Sequence, residues 1–358
     1  MVQKVIVAQP RGFCAGVEMA IKALSFLVKA FEAPIYCYHE IVHNQIVVDR
    51  FRKKGVIFVD SIDEVPAGAI VMLSAHGSAP KVVEDSNGLN RISINAVCPL
   101  VTKVHHEAKT RTNKGYEVIY VGHEGHDEAI GTMAVAPEKI HLVTDNESLE
   151  QVSKQIAPDT PMALLAQTTL AMSEWDTIAD KAKEKFPEMW TATKSDLCFA
   201  TTNRQTALKE LAKQANVLLI IGSSNSSNTL ALEKVAKEQG CQRVHRIDSP
   251  ECLDHIELKE EDIVGVTAGA SAPEDIVQEV IAKCEAKSIE YLSVIDEDEY
   301  FPPPSQLRNL AIDYNYAVES IFATIRETKS KSDANTLDES LRSVFPQDRN
   351  YRASDSLV

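Results

Sequence analysis

The chain has no Cys-x-x-Cys pair, no excess of basic residues and no apolar run approaching the roughly 20 residues that cross a bilayer. Each absence excludes something. Lys and Arg total 37 against 52 Asp and Glu, for a formal net charge of −15. That balance argues against a nucleic-acid partner, which favours a basic patch. It also means that an anionic substrate must be held locally, by amides, hydroxyls and histidines, against the overall field. Met1 to Lys4 lead straight into a strand, without the charged, apolar and cleavage-site succession of a signal peptide. A cytoplasmic, membrane-free protein is therefore expected. The cysteine count is seven, odd and widely spaced, which disfavours a disulfide framework. Without Cys-x-x-Cys there is neither a zinc ribbon nor a run of the bacterial ferredoxin type. The Ser/Asn-rich turn at 222–228 lacks the Gly-Lys-Ser/Thr of a nucleotide P-loop, which counts against ATP and GTP.

What is present is an alternation of short apolar strands with helical patterns, the signature of a parallel α/β sheet. Val5–Ala8, Ile35–Tyr38, Val56–Val59 and Ala69–Ser74 read as strands of a first unit, 1–98. The pattern restarts at Cys98 for a second unit, 99–197, and again at Cys198 for a third, 198–287. Each unit carries a cysteine followed by a helix. Residues 288–358 form an extension with the acidic run Asp296–Glu299, the rigid Phe301–Pro304 and a possible helix at Ser305–Arg326, and read as a solvated appendage.

Cys14 sits on a glycine-flanked turn at a helix N-terminus, where free N–H groups are expected to lower the thiol pKa and favour the metal-binding thiolate. One such cysteine reads equally as a buried structural residue; the threefold recurrence favours the chemical reading. Three thiolates are one fewer than a cubane's usual four, so one iron of a cluster so held would stay open. His76, His126, Thr169, Ser226, Ser227, Asn228 and Ser271 all lie just past the end of an apolar strand, the edge where ligands bind in open parallel sheets. With His43, the histidines His76 and His126 could hold a diphosphate, and the Ser/Asn turn reads as an anion cradle or an ordinary loop. Glu128 follows His126 in a Gly-containing loop. It could be a general acid, or a first-turn glutamate complementing the helix dipole. His123, His126 and Glu128 also raise zinc hydrolysis, but the run is His-Glu-Gly-His rather than His-Glu-x-x-His.

The motifs together resemble the LytB/IspH family of 4-hydroxy-3-methylbut-2-enyl diphosphate reductases, over about residues 4–285 with a looser echo at Tyr300–Arg308. They are Pro10-Arg-Gly-Phe-Cys14-Ala-Gly-Val, His39-Glu-Ile-Val-His43-Asn, Ser-Ala-His76-Gly, Cys98-Pro-Leu-Val-Thr-Lys-Val-His, Gly-His126-Asp-Glu128, Gln167-Thr-Thr169-Leu, Cys198-Phe-Ala-Thr-Thr-Asn-Arg-Gln and Asn225-Ser226-Ser227-Asn228. The resemblance implies a pseudo-threefold trefoil of α/β units around a [4Fe–4S] cluster held by Cys14, Cys98 and Cys198, with one open iron for the substrate hydroxyl. It implies that His43, His76, His126, Ser226, Ser227, Asn228 and Ser271 hold the diphosphate, that Glu128 delivers protons and that Thr169 orients the hydroxyl. The reaction would take two electrons and two protons, remove water, and give isopentenyl and dimethylallyl diphosphate, the last step of the methylerythritol phosphate route. A ferredoxin or flavodoxin would donate the electrons.

Two positions depart from the family pattern. Asp127 stands where Pro is frequent, which could change the charge felt by Glu128, and Ser78 replaces a commonly apolar residue. Cys37, Cys241, Cys252 and Cys284 match no cluster motif and read as core or incidental. An iron–sulfur electron carrier or redox sensor, and a metal-free binding module, are the competing classes. A carrier has no need of the Glu128, histidine and Ser-Asn set, and the three matched cysteine turns argue against a metal-free module.

Overall fold

The computed structural model describes residues 1–157, 159–192 and 196–312. In chain order it runs through β1 (Lys4–Gln9), α1 (Ala15–Ala30), β2 (Ile35–Tyr38), α2 (Gln45–Arg52), β3 (Val56–Val59), β4 (Ile70–Leu73), α3 (Pro80–Ser86) and β5 (Ile92–Asn95). There follow α4 (Pro99–Asn113), β6 (Glu117–Val121), α5 (Asp127–Met133), β7 (Ile140–Val143), α6 (Asn146–Gln155), β8 (Met162–Ala166), α7 (Met172–Lys185) and β9 (Trp190–Thr191). The last set is α8 (Phe199–Ala212), β10 (Val217–Ile221), α9 (Ser227–Glu238), β11 (Arg243–Ile247), β12 (Ile263–Ala268), α10 (Glu274–Lys283) and β13 (Ile289–Ser293).

Three sheets result, with strand orders β3-β2-β4-β5, β7-β6-β8-β9 and β11-β10-β12-β1-β13. All of their pairings are parallel. The expected α/β class and three-unit organisation are therefore observed. The strands are nearly continuous apolar runs because both faces are covered. In the third sheet Val5, Val7, Val217, Leu219, Val264 and Val266 pack on Val277 and Val280 of α10. The alternate residues Ile6, Ala8, Leu218 and Ile220 pack on Leu208 and Leu211 of α8 and Leu232 and Val235 of α9. That is the period-two side-chain alternation of a strand.

The sheets differ from the sequential division at β1 and at β13, which comes from the extension. β1 lies in the third sheet, between β12 and β13, and not with β2–β5. The reason is the repeat itself. In the first two sheets the fourth strand, β5 or β9, leads into a cysteine and then a helix. In the third sheet β1 takes that position and leads to Cys14. The helix then leaves: α1 contributes Ala20, Ile21, Leu24 and Leu27 to the core over Ile35, Cys37, Met72 and Ile94 of the neighbouring sheet. Each cysteine thus marks a crossing from one unit to the next.

The extension is not simply a solvated appendage. Strand β13 adds to the third sheet, and Leu307, 1% exposed, joins the core under α1. Residues 305–312 are helical. The remainder of the expected helix to Arg326, and the tail beyond it, lie outside the described residues. Among the described residues no helix is long and apolar enough to cross a membrane.

Candidate active site

The three cysteines occupy equivalent positions as N-caps, Cys14 of α1, Cys98 of α4 and Cys198 of α8. Each donates its backbone N–H to a loop that follows a strand of a neighbouring element. Cys14 donates to Ala270 O at 3.2 Å, Cys98 to Ala75 O at 3.0 Å and Cys198 to Thr168 O at 3.0 Å. The residues immediately after these acceptors are Ser271, His76 and Thr169. Every cysteine turn is therefore tied by one hydrogen bond to a loop bearing a candidate substrate residue.

The thiols themselves come together. A Cβ placed on Gly16 would lie 2.7 Å from Cys98 Sγ and 3.9 Å from Cys14 Sγ, so the absence of a side chain there makes room for both. Cys198 perturbs Cys98 electrostatically, and Cys14 perturbs both of them. Cys198 Sγ accepts from Thr201 N at 3.2 Å and lies 3.0 Å from Thr201 Oγ1. The expectation of lowered thiol pKa values is not met. Burial pushes Cys98 and Cys198 up to about 12, and Cys14 up as well, against the lowering effect of helix N–H groups and, for Cys14 and Cys198, of Arg204. Without a metal these are protonated thiols, and metal loading must displace their protons. Three half-buried thiols, a side-chain-free gap at Gly16 and donors directed at sulfur fit a thiolate-held metal cluster.

Arg204 is the largest fully buried side chain. It donates to Gly12 O at 2.8 Å and Ala200 O at 3.0 Å, joining the Cys14 turn to the Cys198 helix. Its charge is met by Glu297 at 3.0 Å, which also accepts from Asn203 at 3.0 Å. The arginine was visible in the Cys198 motif; its acidic partner, 93 residues away, was not.

The anion-binding candidates gather beside the thiols. The rings of His43 and His76 stack in parallel, with centroids 3.7 Å apart and 8° between planes. His126 meets His43 edge-on at 5.1 Å. His43 Nε2 and His76 Nδ1 are buried without a hydrogen-bond partner, so the site holds unmet hydrogen-bonding capacity. His126 caps α5: its Nδ1 accepts from Glu128 N at 3.1 Å, which leaves Nε2 as the protonated nitrogen. Burial first, then the charge of His43, takes His126 down to about 4, so it is a neutral donor. Ser271 Oγ donates to His43 O at 2.9 Å and lies 3.4 Å from Ser226 Oγ. Asn228 is engaged at both ends, donating to Thr201 Oγ1 at 3.3 Å and accepting from Ala270 N at 3.0 Å. It braces the Cys198 helix against the Ser271 loop.

Glu128 is 2% exposed. Thr168 N donates to its Oε1 at 2.8 Å and Thr168 Oγ1 to its Oε2 at 2.9 Å. Burial raises its pKa to about 7, against the lowering effect of those two hydrogen bonds and with a further push from Asp196. Glu128 lies in the first turn of α5, where burial raises its carboxyl into the neutral range. Asp127 is directed at the histidines, not at Glu128; its closest partner is His39, at 2.8 Å. Gln167, fully buried, donates to Thr169 Oγ1 at 2.9 Å and Ser227 Oγ at 3.0 Å while accepting from His123 N at 2.9 Å. Thr168 and Gln167 were passed over in a triplet where only Thr169 was singled out. The zinc arrangement is not built among the described residues, since the Glu128 oxygens face Thr168 and His126 Nδ1 faces a backbone N–H. An open cavity of about 410 Å³ borders the site, lined in part by His123, His126, Asn225, Ser227 and Lys234.

Comparison with known proteins gives a consistent result. The profile of the LytB protein family matches residues 5–285. The 4-hydroxy-3-methylbut-2-enyl diphosphate reductase of Rhodopirellula baltica is 45% identical over 311 residues, 86% of this chain and 97% of the relative. That of Streptomyces coelicolor is 40% identical over 309 residues, 86% and 91% of the two chains. The solved structure of the E-1-hydroxy-2-methyl-but-2-enyl-4-diphosphate reductase from Plasmodium falciparum superposes with a TM-score of 0.84 at 31% identity, covering 88% of this chain and all 100% of that one.

Proposed function

This chain belongs to the LytB protein family, and from that premise we propose how its residues carry the family's reaction. It is a reductase of 4-hydroxy-3-methylbut-2-enyl diphosphate, removing the allylic hydroxyl to give isopentenyl and dimethylallyl diphosphate. The observation that carries the residue assignment is the triple tie of Cys14, Cys98 and Cys198 to the Ser271, His76 and Thr169 loops. It couples three metal-binding thiols to one polar pocket, an arrangement for which an electron carrier has no use.

Cys14, Cys98 and Cys198 would hold a [4Fe–4S] cluster, which would supply reducing equivalents and a Lewis acid. The chain's own residues do the rest. His43 and His76 present two stacked imidazole edges, which when protonated at these nitrogens would offer N–H groups to two oxygens of one anion. His126 adds Nε2–H. Ser226 and Ser227 sit at the N-terminus of α9, where amides and hydroxyls favour phosphate oxygens, and Ser271 adds a further hydroxyl. Asn228 supports this wall through its two hydrogen bonds. Thr169, fixed by Gln167, orients the substrate hydroxyl. Glu128, protonated near neutral pH, delivers the proton that lets the hydroxyl leave as water. The electron donor is a ferredoxin or flavodoxin, which must dock locally on a chain of net charge −15.

The test uses anaerobically purified protein. Iron and sulfide content and a Mössbauer spectrum are recorded, then the hydroxymethylbutenyl diphosphate is added with a chemical reductant. A four-iron cluster with one iron signal shifting on addition, and isoprenyl diphosphates formed, is the expected result. A cluster that cycles electrons and ignores the substrate would replace this reading with a carrier or sensor.

A further inference from the structure

The anion pocket contains a carboxylate, which is the wrong charge for a diphosphate. Asp127 Oδ2 lies 3.8 Å from both His43 Nε2 and His76 Nδ1, the two buried nitrogens that have no hydrogen-bond partner. The three ligand atoms fall within 4.8 Å of one another, but the parallel imidazole planes direct their lone pairs alongside each other and do not converge on one cation. The other oxygen of Asp127, Oδ1, is bound at 2.8 Å by Nδ1 of His39. His39 takes a left-handed backbone conformation (φ 57°), uncommon for a residue with a Cβ, and stacks on Tyr38 with centroids 4.1 Å apart. The loop between β2 and α2 is thereby bent to bring this ring against Asp127.

We propose that His39 and Asp127 act as one charge-neutral unit, in which His39 cancels by direct ion pairing the carboxylate that this chain places among the diphosphate-binding imidazoles. His39 is thus a positioning residue that governs substrate affinity through Asp127. This rests on the reading of His43, His76 and His126 as the anion pocket.

The surroundings are consistent with that role. The hydrogen bond that His39 donates to Asp127, against burial, lifts His39 above its ordinary range; the charges of Asp127 and Asp60 add to it. Asp127 is held below the ordinary carboxylate range: burial pushes it up, but the His39 hydrogen bond and the charges of His39, His43 and His126 outweigh that. The other ionisable groups facing the pair are Tyr38, Glu40, which lies 3.5 Å from His43 Nδ1, and His76; His123 acts on His126 from beyond. Below the His39 pKa the pair adds no net charge to the pocket. As pH rises through that pKa, His39 becomes neutral and leaves one uncompensated negative charge beside the anion.

Affinity for inorganic diphosphate, measured by calorimetry, and KM and kcat of the loaded enzyme are followed from neutral to alkaline pH. His39→Asn is expected to weaken binding and raise KM by about fivefold near neutral pH, with kcat little changed and the difference shrinking as pH rises. In an Asp127→Asn background the same His39 substitution is expected to cost nothing. Equal losses from His39→Asn in both backgrounds, or none in either, would overturn the proposal. His76→Asn separates the two readings. If it leaves diphosphate affinity unchanged, the pocket assignment itself fails. If it weakens affinity while His39→Asn does not, only the charge-neutral pair fails.

Discussion

Thr168 holds both carboxyl oxygens of Glu128, one through its backbone N–H at 2.8 Å and the other through its hydroxyl at 2.9 Å. The same residue's carbonyl accepts the N–H of Cys198 at 3.0 Å. One peptide therefore links the proposed proton donor to the turn of a proposed cluster ligand, and it holds Glu128 by bonds that stabilise its charged form.

The first prediction follows from the sign of that effect. Glu128 must be protonated to act, so kcat should fall as pH rises past about 7. The Thr168 hydroxyl lowers the Glu128 pKa by bonding the carboxylate. Thr168→Val removes that bond, keeps the backbone one, and should move the alkaline limb of the kcat profile to higher pH. Glu128→Gln should abolish the limb and reduce turnover by about 10²-fold or more while retaining iron. Turnover at the parental rate in Glu128→Gln would remove the assignment.

Cysteine substitutions should divide by location. Ser in place of Cys14, Cys98 or Cys198 should lose iron and sulfide, because a hydroxyl that does not ionise near neutral pH is a poor substitute for a thiolate ligand. Cys37 is fully buried in the core under α1, so Cys37→Ser should retain iron and lower the unfolding midpoint instead. Iron content and thermal unfolding of the four variants, prepared side by side without oxygen, provide the check.

Much of this was legible in the sequence because the signals were local. The apolar strands, the Cys-helix restarts and the polar residues just past strand ends all lie within short windows, and all three sheets are parallel as the alternation requires. What escaped was long-range or two-sided. Nothing near Val5 shows that β1 completes a sheet with β12, since a strand does not encode its partner. The thiol pKa expectation failed because helix N–H groups can be inferred from position, whereas the opposing burial appears only on folding. Asp127 stood out as unusual, but its partner, 88 residues earlier, did not.

Gly16 makes a prediction about cluster assembly. Its backbone lies in the first turn of α1, a helix in which Ala is intrinsically the better residue by about 1 kcal/mol. Propensity alone would make Gly16→Ala stabilising. The added methyl would sit 2.7 Å from Cys98 Sγ and 3.9 Å from Cys14 Sγ, in the space the two thiols share. The expected outcome is a folded protein whose unfolding midpoint is lowered by the displaced Cys98 side chain despite the better helix propensity, with sharply reduced iron occupancy after reconstitution. Full iron occupancy would show that the cysteine turns can move apart.

The last prediction concerns the acidic run at the start of the C-terminal extension. Asp298 is exposed, whereas Glu297 reaches inward to the buried guanidinium of Arg204 at 3.0 Å. That guanidinium also binds the carbonyls of Gly12 and Ala200 and so spans two cysteine turns. Removing one partner of a buried ion pair leaves the other charge uncompensated, at a cost of about 3–5 kcal/mol. Glu297→Ala should therefore destabilise the fold by an amount in that range, and Asp298→Ala by about 0.5 kcal/mol or less. Arg204→Met should also be costly, because the carbonyls it binds lose their donor. Combined with Glu297→Ala it should cost less than the two changes separately, since neither charge is then left buried and alone. Denaturant unfolding of the two single variants and the double variant measures that coupling, and strictly additive losses would mean that Glu297 does not carry the charge of Arg204.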